Sequence, residues 1–153
     1  MDEILRRLEL LHPKIIDLKL DRVKRLLRKL GNPEKSIPPV IHVAGTNGKG
    51  STIAMIKSGL QRSGFRTHTY TSPHLVSFNE RIEIRDKRIS EDALKEVLNE
   101  CEKVNNSKPI TFFEITTCAA FLAFSRVSAD LSLIHISEPT RPLYISYAVF
   151  CLK

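Results

Sequence analysis

The spacing of apolar residues changes from a helical to a strand period within the first 45 positions. Leucine and isoleucine residues between positions 2 and 11 fall on one side of a helix, and an apolar stripe predicts a second helix over residues 21–30. Gly31 ends this second helix, since a glycine followed by Asn32-Pro33 is a typical C-terminal stop. Residues 40–44 form a short apolar run that is typical of a buried parallel strand.

The rest of the chain continues this alternation of helices and strands. The predicted elements are a helix from the glycine-rich segment to near Gly64, strands over residues 66–71 and 81–85 with a turn at Asp86-Lys87, a helix capped by Ser90, and an apolar helix that begins at Thr111. A strand, a glycine loop, a helix and a second strand in this order make a βαβ unit. The sequence therefore predicts an α/β fold with a mainly parallel sheet flanked by helices.

Composition is that of a globular protein of about one-domain size. The chain has 153 residues, of which 42% are hydrophobic and 27% are charged, and this balance excludes disordered, collagenous and coiled-coil chains. No apolar run reaches the length of about 18 residues that would predict a membrane span. The acidic start Met1-Asp2-Glu3 does not have the form of a signal peptide.

The net charge of +7 is concentrated near the N-terminus. The first 35 residues hold ten Lys and Arg against six Asp and Glu, mostly on the outer faces of two amphipathic helices and without interleaved aromatic residues. A nucleic-acid-binding face favours a denser basic stripe with stacking side chains. We therefore expect the basic residues to form a solvated surface that attracts small anions. A basic nucleic-acid-binding module is the alternative function.

The three cysteines, Cys101, Cys118 and Cys151, are odd in number and widely spaced. They show neither metal-ligand spacing nor a CxxC pair, so we expect a reducing, cytoplasmic location. Cys101 lies in the apolar stripe of the helix capped by Ser90, which predicts a core position.

Residues 45–52, Gly-Thr-Asn-Gly-Lys-Gly-Ser-Thr, lie between the buried strand and the next helix. Glycines let successive backbone N–H groups approach one anion, and the helix adds its free N–H groups and the positive end of its dipole. Lys49 would reach the outer phosphates of a nucleotide, and Ser51 or Thr52 offers a hydroxyl for Mg²⁺ or phosphate. The spacing departs from the common GxxxxGK[ST] pattern, so an ordinary glycine turn is the alternative.

The run HVAGTNGKGS over residues 42–51 resembles the nucleotide loop of folylpolyglutamate synthases and dihydrofolate synthases, members of the Mur-ligase superfamily. Its glycine before Ser51 is similar to the folate branch, because cell-wall members usually place Ser or Thr directly after the lysine. Three further segments resemble this family in order and spacing, and they lie at residues 20–33, 71–82 and 111–114. The resemblance covers roughly residues 15–131.

The resemblance implies a role for each matching residue. The ATP phosphates would be held by Gly45, Thr46, Asn47, Gly48, Lys49, Gly50 and Ser51, with Lys49 as the catalytic cation. Ser72, together with Ser51, would be a metal ligand, although a Ser-Pro turn also explains Ser72, and His74 is a weaker candidate. The folate or pterin would be contacted by Asn79, Glu80, Arg81, Thr111, Phe112, Phe113 and Glu114.

Each folate-side residue also has an interpretation without function. Residues 79–81 match the start of an edge strand. Thr111 and Glu114 match a capping box, in which a hydroxyl and a carboxylate close the start of a helix. Phe112 and Phe113 either offer apolar surface to a flat ring or fill the core.

The activity implied by the resemblance is ATP-dependent amide ligation. ATP phosphorylates the carboxylate of dihydropteroate or (tetrahydro)folate, and the amine of L-glutamate attacks the acyl phosphate. The implied cofactors are ATP and Mg²⁺, the full-length parent would be a monomer, and neither nucleic acid nor membrane would be a partner. The alternative within nucleotide-binding enzymes is another P-loop enzyme, such as a small-molecule kinase.

The chain departs from the family after residue 131. There the family continues with a strand and an acidic, glycine-rich segment that brings a second Mg²⁺ ligand, whereas residues 132–153 resemble the translation of a sequencing adapter. We therefore expect residues 1–131 to be the N-terminal part of an ATP-binding Mur-ligase-like domain and residues 132–153 to be a non-native tail. Such a tail would add nothing to the fold, and the chain would be an inactive fragment. A divergent final strand and tail is the alternative.

Overall fold

The computed structural model describes residues 1–11, 20–45, 47–135 and 149–152. The chain divides into two compact units, each with its own packing. The helical unit comprises Met1–Ser36 and Ser90–Arg126, and the sheet unit comprises Ile37–Ile89 and the residues from Val127 onward. Together they contain the helices and the mainly parallel sheet of an α/β fold, which confirms the predicted fold class.

The elements follow the predicted order closely. The helices are α1 (Asp2–Glu9), α2 (Asp21–Lys29), α3 (Lys49–Arg62), α4 (Glu91–Asn105) and α5 (Phe112–Ser125), with 3-10 turns at Pro33–Lys35 and Phe78–Arg81. The strands are β1 (Val40–Ala44), β2 (Thr67–Thr71), β3 (Ile82–Ile84), β4 (Lys87–Arg88), β5 (Leu131–His135) and β6 (Val149–Leu152). None of the helices in the described ranges has the length and hydropathy needed to span a bilayer.

The helical unit is built on α4 and α5, which pack against each other and against α1 and α2. The predicted stripe of α4 is buried, with Leu94, Leu98 and Cys101 fully removed from solvent. Ser90 caps α4 as expected, since its hydroxyl accepts the Ala93 N–H at 3.2 Å. Cys118 of α5 is buried as well, so two of the three thiols lie in the core of this unit.

The sheet unit has the strand order β4-β3-β2-β5-β1-β6. The three central strands β2, β5 and β1 run parallel, whereas β3, β4 and β6 join antiparallel at the two edges. The connection from β1 through α3 to β2 is the predicted βαβ crossover, with β5 inserted between its two strands. Residues of α3 pack on the sheet around Val43, Ile53 and Leu133, each at most 3% exposed.

The structure corrects the expectation that residues from Ser132 onward add nothing to the fold. Residues 132–135 complete β5, which pairs with β1 on one side and β2 on the other, and all four are buried. A central strand needs only extended backbone and apolar side chains on the helix-facing side, which Leu133 supplies. Residues 136–148 and 153 lie outside the described part of the chain, and the non-native origin of the tail stays a prediction.

The strand predicted over residues 81–85 is shorter in the structure, because the 3-10 turn at Phe78–Arg81 precedes it. The turn to β4 is centred on Arg85 and Asp86, one residue earlier than expected, with φ values of 49° and 67°. Two positive φ values fit a two-residue hairpin whose twist matches that of the strands. The Asp86 carboxylate anchors this turn on β2, since it accepts the Thr67 hydroxyl at 2.6 Å.

Candidate functional site

The carboxyl ends of the three parallel strands meet at one edge of the sheet. Val43 of β1 and Thr71 of β2 both stand beside His135, the last residue of β5. The backbone N–H of Ser72, directly after β2, donates to the His135 carbonyl at 3.1 Å. In open parallel sheets this edge is where ligands bind. The structure therefore brings Ser72 and the loop after β1 to the same edge.

The loop after β1 has the backbone geometry of an anion cradle. Gly45 has φ 150°, and Gly48, which caps α3, has φ 74°. Both values lie in a region that side-chain-bearing residues rarely adopt. A Cβ placed on Gly48 or Gly50 would meet no atom within 4 Å, so the backbone is open to close approach. Thr46 lies outside the described residues.

Lys49, the first residue of α3, folds back over this loop. Its Nζ donates to the Gly45 carbonyl at 2.5 Å, so the predicted cation lies within the glycine segment. The first N–H bonded within the helix is that of Thr52, which donates to Gly48 O at 2.9 Å. N–H groups earlier in a first helical turn have no intrahelical acceptor and, with the helix dipole, attract anions.

The structure distinguishes the two candidate hydroxyls of the loop. The Thr52 hydroxyl donates to the Gly48 carbonyl at 2.9 Å, so it is engaged in closing the helix start. Ser51 is exposed in the first turn of α3. Ser51 is therefore the better placed of the two hydroxyls for a ligand.

Ser72 lies in a basic environment. It is 4% exposed, and Arg81 Nη1 donates to its hydroxyl at 3.5 Å. Arg81 Nε donates to His74 Nδ1 at 2.8 Å, and the guanidinium carbon lies 4.8 Å from the centre of the Phe78 ring. Burial lowers the pKa of Arg81 from its ordinary value, and burial together with the Arg81 charge lowers the pKa of His74. Arg81 thus joins Ser72 and His74 into one cluster.

Glu80 and Asn79 hold the loop between Ser72 and β3 in shape. The Glu80 carboxylate accepts the backbone N–H groups of Leu75 at 2.8 Å, Val76 at 3.2 Å and Ser77 at 3.2 Å, which lowers its pKa. Asn79 Oδ1 accepts the Ser77 hydroxyl at 2.5 Å. The loop displays Leu75 and Val76, which are 94% and 88% exposed. The sequence analysis did not predict that Leu75 and Val76 are exposed, although the sequence shows an apolar pair close to Pro73.

The predicted capping box at the start of α5 is confirmed. The Thr111 hydroxyl accepts the Glu114 N–H at 3.2 Å, and Glu114 Oε2 accepts the Thr111 N–H at 2.8 Å. Sequence reasoning did not foresee that Arg22 of α2 donates to both Glu114 oxygens, at 2.9 and 3.1 Å. Phe112 and Phe113 in the first turn of α5 are half-buried. The four folate-side residues predicted at positions 111–114 belong to the helical unit. The other three, Asn79, Glu80 and Arg81, belong to the sheet unit.

The two predicted metal ligands, Ser72 and Ser51, offer only hydroxyl oxygens. Among residues 1–11, 20–45 and 47–135, no three His, Cys, Asp or Glu side chains come together in a way that could hold a metal ion. Ser72 offers a neutral hydroxyl beside a guanidinium. Mg²⁺ in proteins is usually held by one or two carboxylates together with substrate phosphates. The described residues therefore offer no cluster of charged or imidazole ligands for Mg²⁺, and the metal-ligand role of Ser72 and Ser51 stays a prediction.

Comparison with known proteins finds similar sequences and similar solved structures. No protein-family model matches the chain. A dihydrofolate synthase/folylpolyglutamate synthase of Bacillus subtilis is 43% identical over 113 residues, which are 69% of this chain and 26% of that protein. A structure of Escherichia coli FolC in complex with DHPP and ADP superposes with a TM-score of 0.82 at 35% identity, covering 89% of this chain and 33% of FolC.

This chain is homologous to the dihydrofolate synthase/folylpolyglutamate synthases. A bifunctional synthase of this kind, with Mn, AMPPNP and L-glutamate bound, superposes with a TM-score of 0.78 at 32% identity, over 87% of this chain and 32% of that synthase. The family resemblance drawn from the four sequence segments is thereby confirmed. The chain spans about a quarter to a third of the length of these synthases.

Proposed function

We propose that this chain is the N-terminal, nucleotide-binding part of an ATP-dependent ligase that adds L-glutamate to dihydropteroate, to (tetrahydro)folate or to both. One observation carries this proposal. The glycine loop at the carboxyl end of β1 combines a lysine, two positive-φ glycines and a helix start, in a chain homologous to synthases that bind ADP and AMPPNP. The chain spans about a third of the length of those synthases, so we propose the ligase activity for a protein of their full length and nucleotide binding for this chain.

The loop residues would hold the ATP phosphates. We assign this role to Gly45, Thr46, Asn47, Gly48, Lys49, Gly50 and Ser51. Backbone N–H groups at the start of α3 would donate to phosphate oxygens, and Lys49 would exchange its bond to the Gly45 carbonyl for a phosphate. Ligation through an acyl phosphate requires the charge on a transferring phosphoryl group to be neutralised. Lys49 and the first turn of α3 are the described groups that meet this demand.

The folate-side residues would divide into contacts and supports. We propose that within the helical unit Phe112 and Phe113 offer flat apolar surface to a pteridine. Within the sheet unit, we propose that Arg81 offers charge to a substrate carboxylate. Glu80 and Glu114 would shape their segments, since both carboxylates accept backbone N–H groups in the structure. The substrates would be dihydropteroate or folate and L-glutamate, which matches the DHPP and L-glutamate found in the homologous structures. ATP and a divalent metal would be the cofactors of a monomeric, cytoplasmic parent.

Nucleotide binding can be tested on the 153-residue chain itself. We expect a fluorescent ADP analogue to bind the unsubstituted 153-residue chain, called the parent chain below. We expect Lys49→Ala to weaken this binding by about ten- to hundredfold, because a charge-assisted hydrogen bond is worth about 1.5–3 kcal/mol. Arg62→Ala is the matched control, since Arg62 is exposed at the far end of the same helix. Circular dichroism would confirm that each variant is folded.

Two results would contradict the phosphate-cradle assignment. One is binding by Lys49→Ala within about twofold of the parent chain. The other is an equal loss in Lys49→Ala and Arg62→Ala, which would indicate attraction to net charge rather than to the loop. If unlabelled ADP displaces the fluorescent analogue and AMP does not, the site recognises the β-phosphate of ADP.

A further inference from the structure

The side chain of His68 on β2 connects two other segments of the sheet unit. It is fully buried. Its Nε2 lies 2.8 Å from the carbonyl oxygen of Val127, shortly before β5, and the backbone N–H of Arg85, in the turn between β3 and β4, donates to its Nδ1 at 3.2 Å. One imidazole therefore joins a strand, a hairpin turn and the segment that leads into β5.

These two contacts determine the protonation state of the ring. A carbonyl oxygen only accepts hydrogen bonds, so Nε2 carries a hydrogen, and a backbone N–H only donates, so Nδ1 carries a lone pair. His68 is therefore neutral in the structure, with its hydrogen on Nε2. A second proton, on Nδ1, would point at the Arg85 N–H and would exclude that hydrogen bond.

The turn that His68 contacts is held to β2 by a small number of groups. Arg85 and Asp86 both have positive φ values, 49° and 67°, which are unfavourable for residues with a side chain. The Asp86 N–H donates to the Thr67 carbonyl at 2.9 Å, and the Asp86 carboxylate accepts the Thr67 hydroxyl at 2.6 Å. The following strand β4 has only two residues, both exposed. Such a short, exposed hairpin can open locally while the central strands stay paired.

Charged groups around the imidazole act in opposite directions. Burial lowers the pKa of His68 and the Arg85 charge lowers it as well, whereas the Val127 carbonyl and the Asp86 carboxylate raise it. Among the described residues, Asp86 is thus the carboxylate that favours a charged ring, and burial outweighs it. Other side chains at adjoining positions are paired with each other or neutral, and they are Arg66 with Asp130, Lys57 with Glu83, and Ser132.

We propose that His68 is a pH-sensitive switch that controls the hairpin of β3 and β4. The neutral ring accepts the Arg85 N–H and keeps the turn closed on β2, whereas a proton on Nδ1 breaks this hydrogen bond and opens the turn. Because β3 begins directly after Arg81, an open hairpin would loosen the segment that carries Arg81 and its contacts with Ser72 and His74. Acidification would thus change the candidate site through the hairpin, without a titrating group in the site itself.

Amide hydrogen exchange of the ¹⁵N-labelled parent chain tests the switch residue by residue. The closed turn requires a neutral His68, whereas in the open turn its pKa returns to the ordinary value of about 6.5. Below about pH 6.5 the opening constant at the Arg85 amide, corrected for the intrinsic exchange rate, should therefore rise by up to about tenfold per pH unit. At each pH it should exceed the opening constant at Leu133 in the central strand β5 by at least about tenfold, because the opening is local.

A substitution at position 68 separates the switch from general acid sensitivity. In His68→Asn, the amide oxygen replaces Nδ1 as an acceptor and cannot gain a proton, so we expect the opening constant at Arg85 to stay constant between pH 7 and pH 5. His42→Asn, on β1, is the matched control and should keep the pH dependence of the parent chain. Long-range ¹H–¹⁵N spectra of the parent chain would read the His68 ring directly and do not depend on the folding of a variant.

Three results would overturn the proposal. The first is a His68 ring at pH 7 that is charged or carries its hydrogen on Nδ1. The second is an Arg85 opening constant that does not rise between pH 6.5 and pH 5, or that rises equally in a folded His68→Asn. The third is an equal opening constant at Arg85 and Leu133, which would mean that the turn opens only when the whole sheet unfolds.

Discussion

The contact between Arg22 and Glu114 predicts that one carboxylate stabilises the start of α5. Glu114 Oε2 accepts both from Arg22 Nε at 2.9 Å and from the Thr111 N–H at 2.8 Å, and Oε1 accepts from Arg22 Nη2 at 3.1 Å. The two side chains are 12% and 9% exposed. Glu114→Gln keeps the shape of the side chain but removes the charge, so the guanidinium stays buried without its counter-charge.

We expect Glu114→Gln to lower the free energy of unfolding by about 3–5 kcal/mol, the cost of removing one partner of a buried ion pair. Thr111→Ala removes only the capping hydroxyl and is expected to cost about 1 kcal/mol. Removing both charges in Arg22→Met with Glu114→Gln is expected to cost less than the sum of the single changes, because neither charge is then left unpaired. Urea unfolding followed by circular dichroism would measure the unsubstituted chain, the single variants Glu114→Gln, Thr111→Ala and Arg22→Met, and the double variant.

An exposed ion pair on α4 provides the control. Lys95 contacts Glu91 at 2.9 Å one turn away, with 38% and 57% of the two side chains exposed. We expect Lys95→Ala to leave the urea midpoint unchanged within error, since exposed pairs contribute little. A Glu114→Gln variant within about 0.5 kcal/mol of the parent chain would refute the argument, because it would place Glu114 among ordinary surface residues. Confirmation would mean that lost folate binding in a Glu114 variant does not by itself identify a ligand contact.

Three further predictions concern the core and its response to pH. Leu133→Ala should lower the free energy of unfolding in urea by about 2–5 kcal/mol, because Leu133 is fully buried against Val43 and Ile53. A decrease under about 1 kcal/mol would contradict a central role for β5. Burial lowers the pKa values of His68, His74 and His135, so the unfolded chain binds more protons than the folded chain just below the ordinary histidine pKa of about 6.5. The thermal midpoint should therefore fall as the pH is lowered from about 7 to about 5, and a flat or rising midpoint would contradict this. Burial raises the pKa of the Cys101 thiol to about 12 and also raises that of Cys118, so peptide mapping after alkylation should find both unmodified in the folded chain and modified in urea.

Local sequence patterns predicted the elements and their caps well. The bounds of β1 follow directly from the apolar run over residues 40–44, and the capping box of α5 follows from a threonine and a glutamate three residues apart. The glycine loop could be predicted from the sequence for the same reason, since its strand, turn and helix are adjacent along the chain. In each case the contacts that define the feature join residues only a few positions apart.

Contacts between distant residues were not predictable from these patterns. Arg22 and Glu114 are 92 positions apart, and no spacing rule links them. The placement of β5 between β1 and β2 likewise depends on pairing over more than 60 residues, which a linear pattern does not encode. That placement brings His135 between the carboxyl ends of β1 and β2, and this arrangement could be seen only in the three-dimensional structure.

The most direct test of the central claim is an amide chemical-shift titration of the ¹⁵N-labelled chain with ADP. We expect the largest shifts on the backbone N–H groups of the glycine loop and smaller shifts at Ser72. The loop residues concerned are Gly45, Gly48, Lys49, Gly50 and Ser51. We also expect Lys49→Ala to reduce all of these shifts at the same ADP concentration. Shifts concentrated on the basic surface of α1 and α2, or an absence of shifts in the glycine loop at millimolar ADP, would contradict the claim that this loop holds nucleotide phosphates.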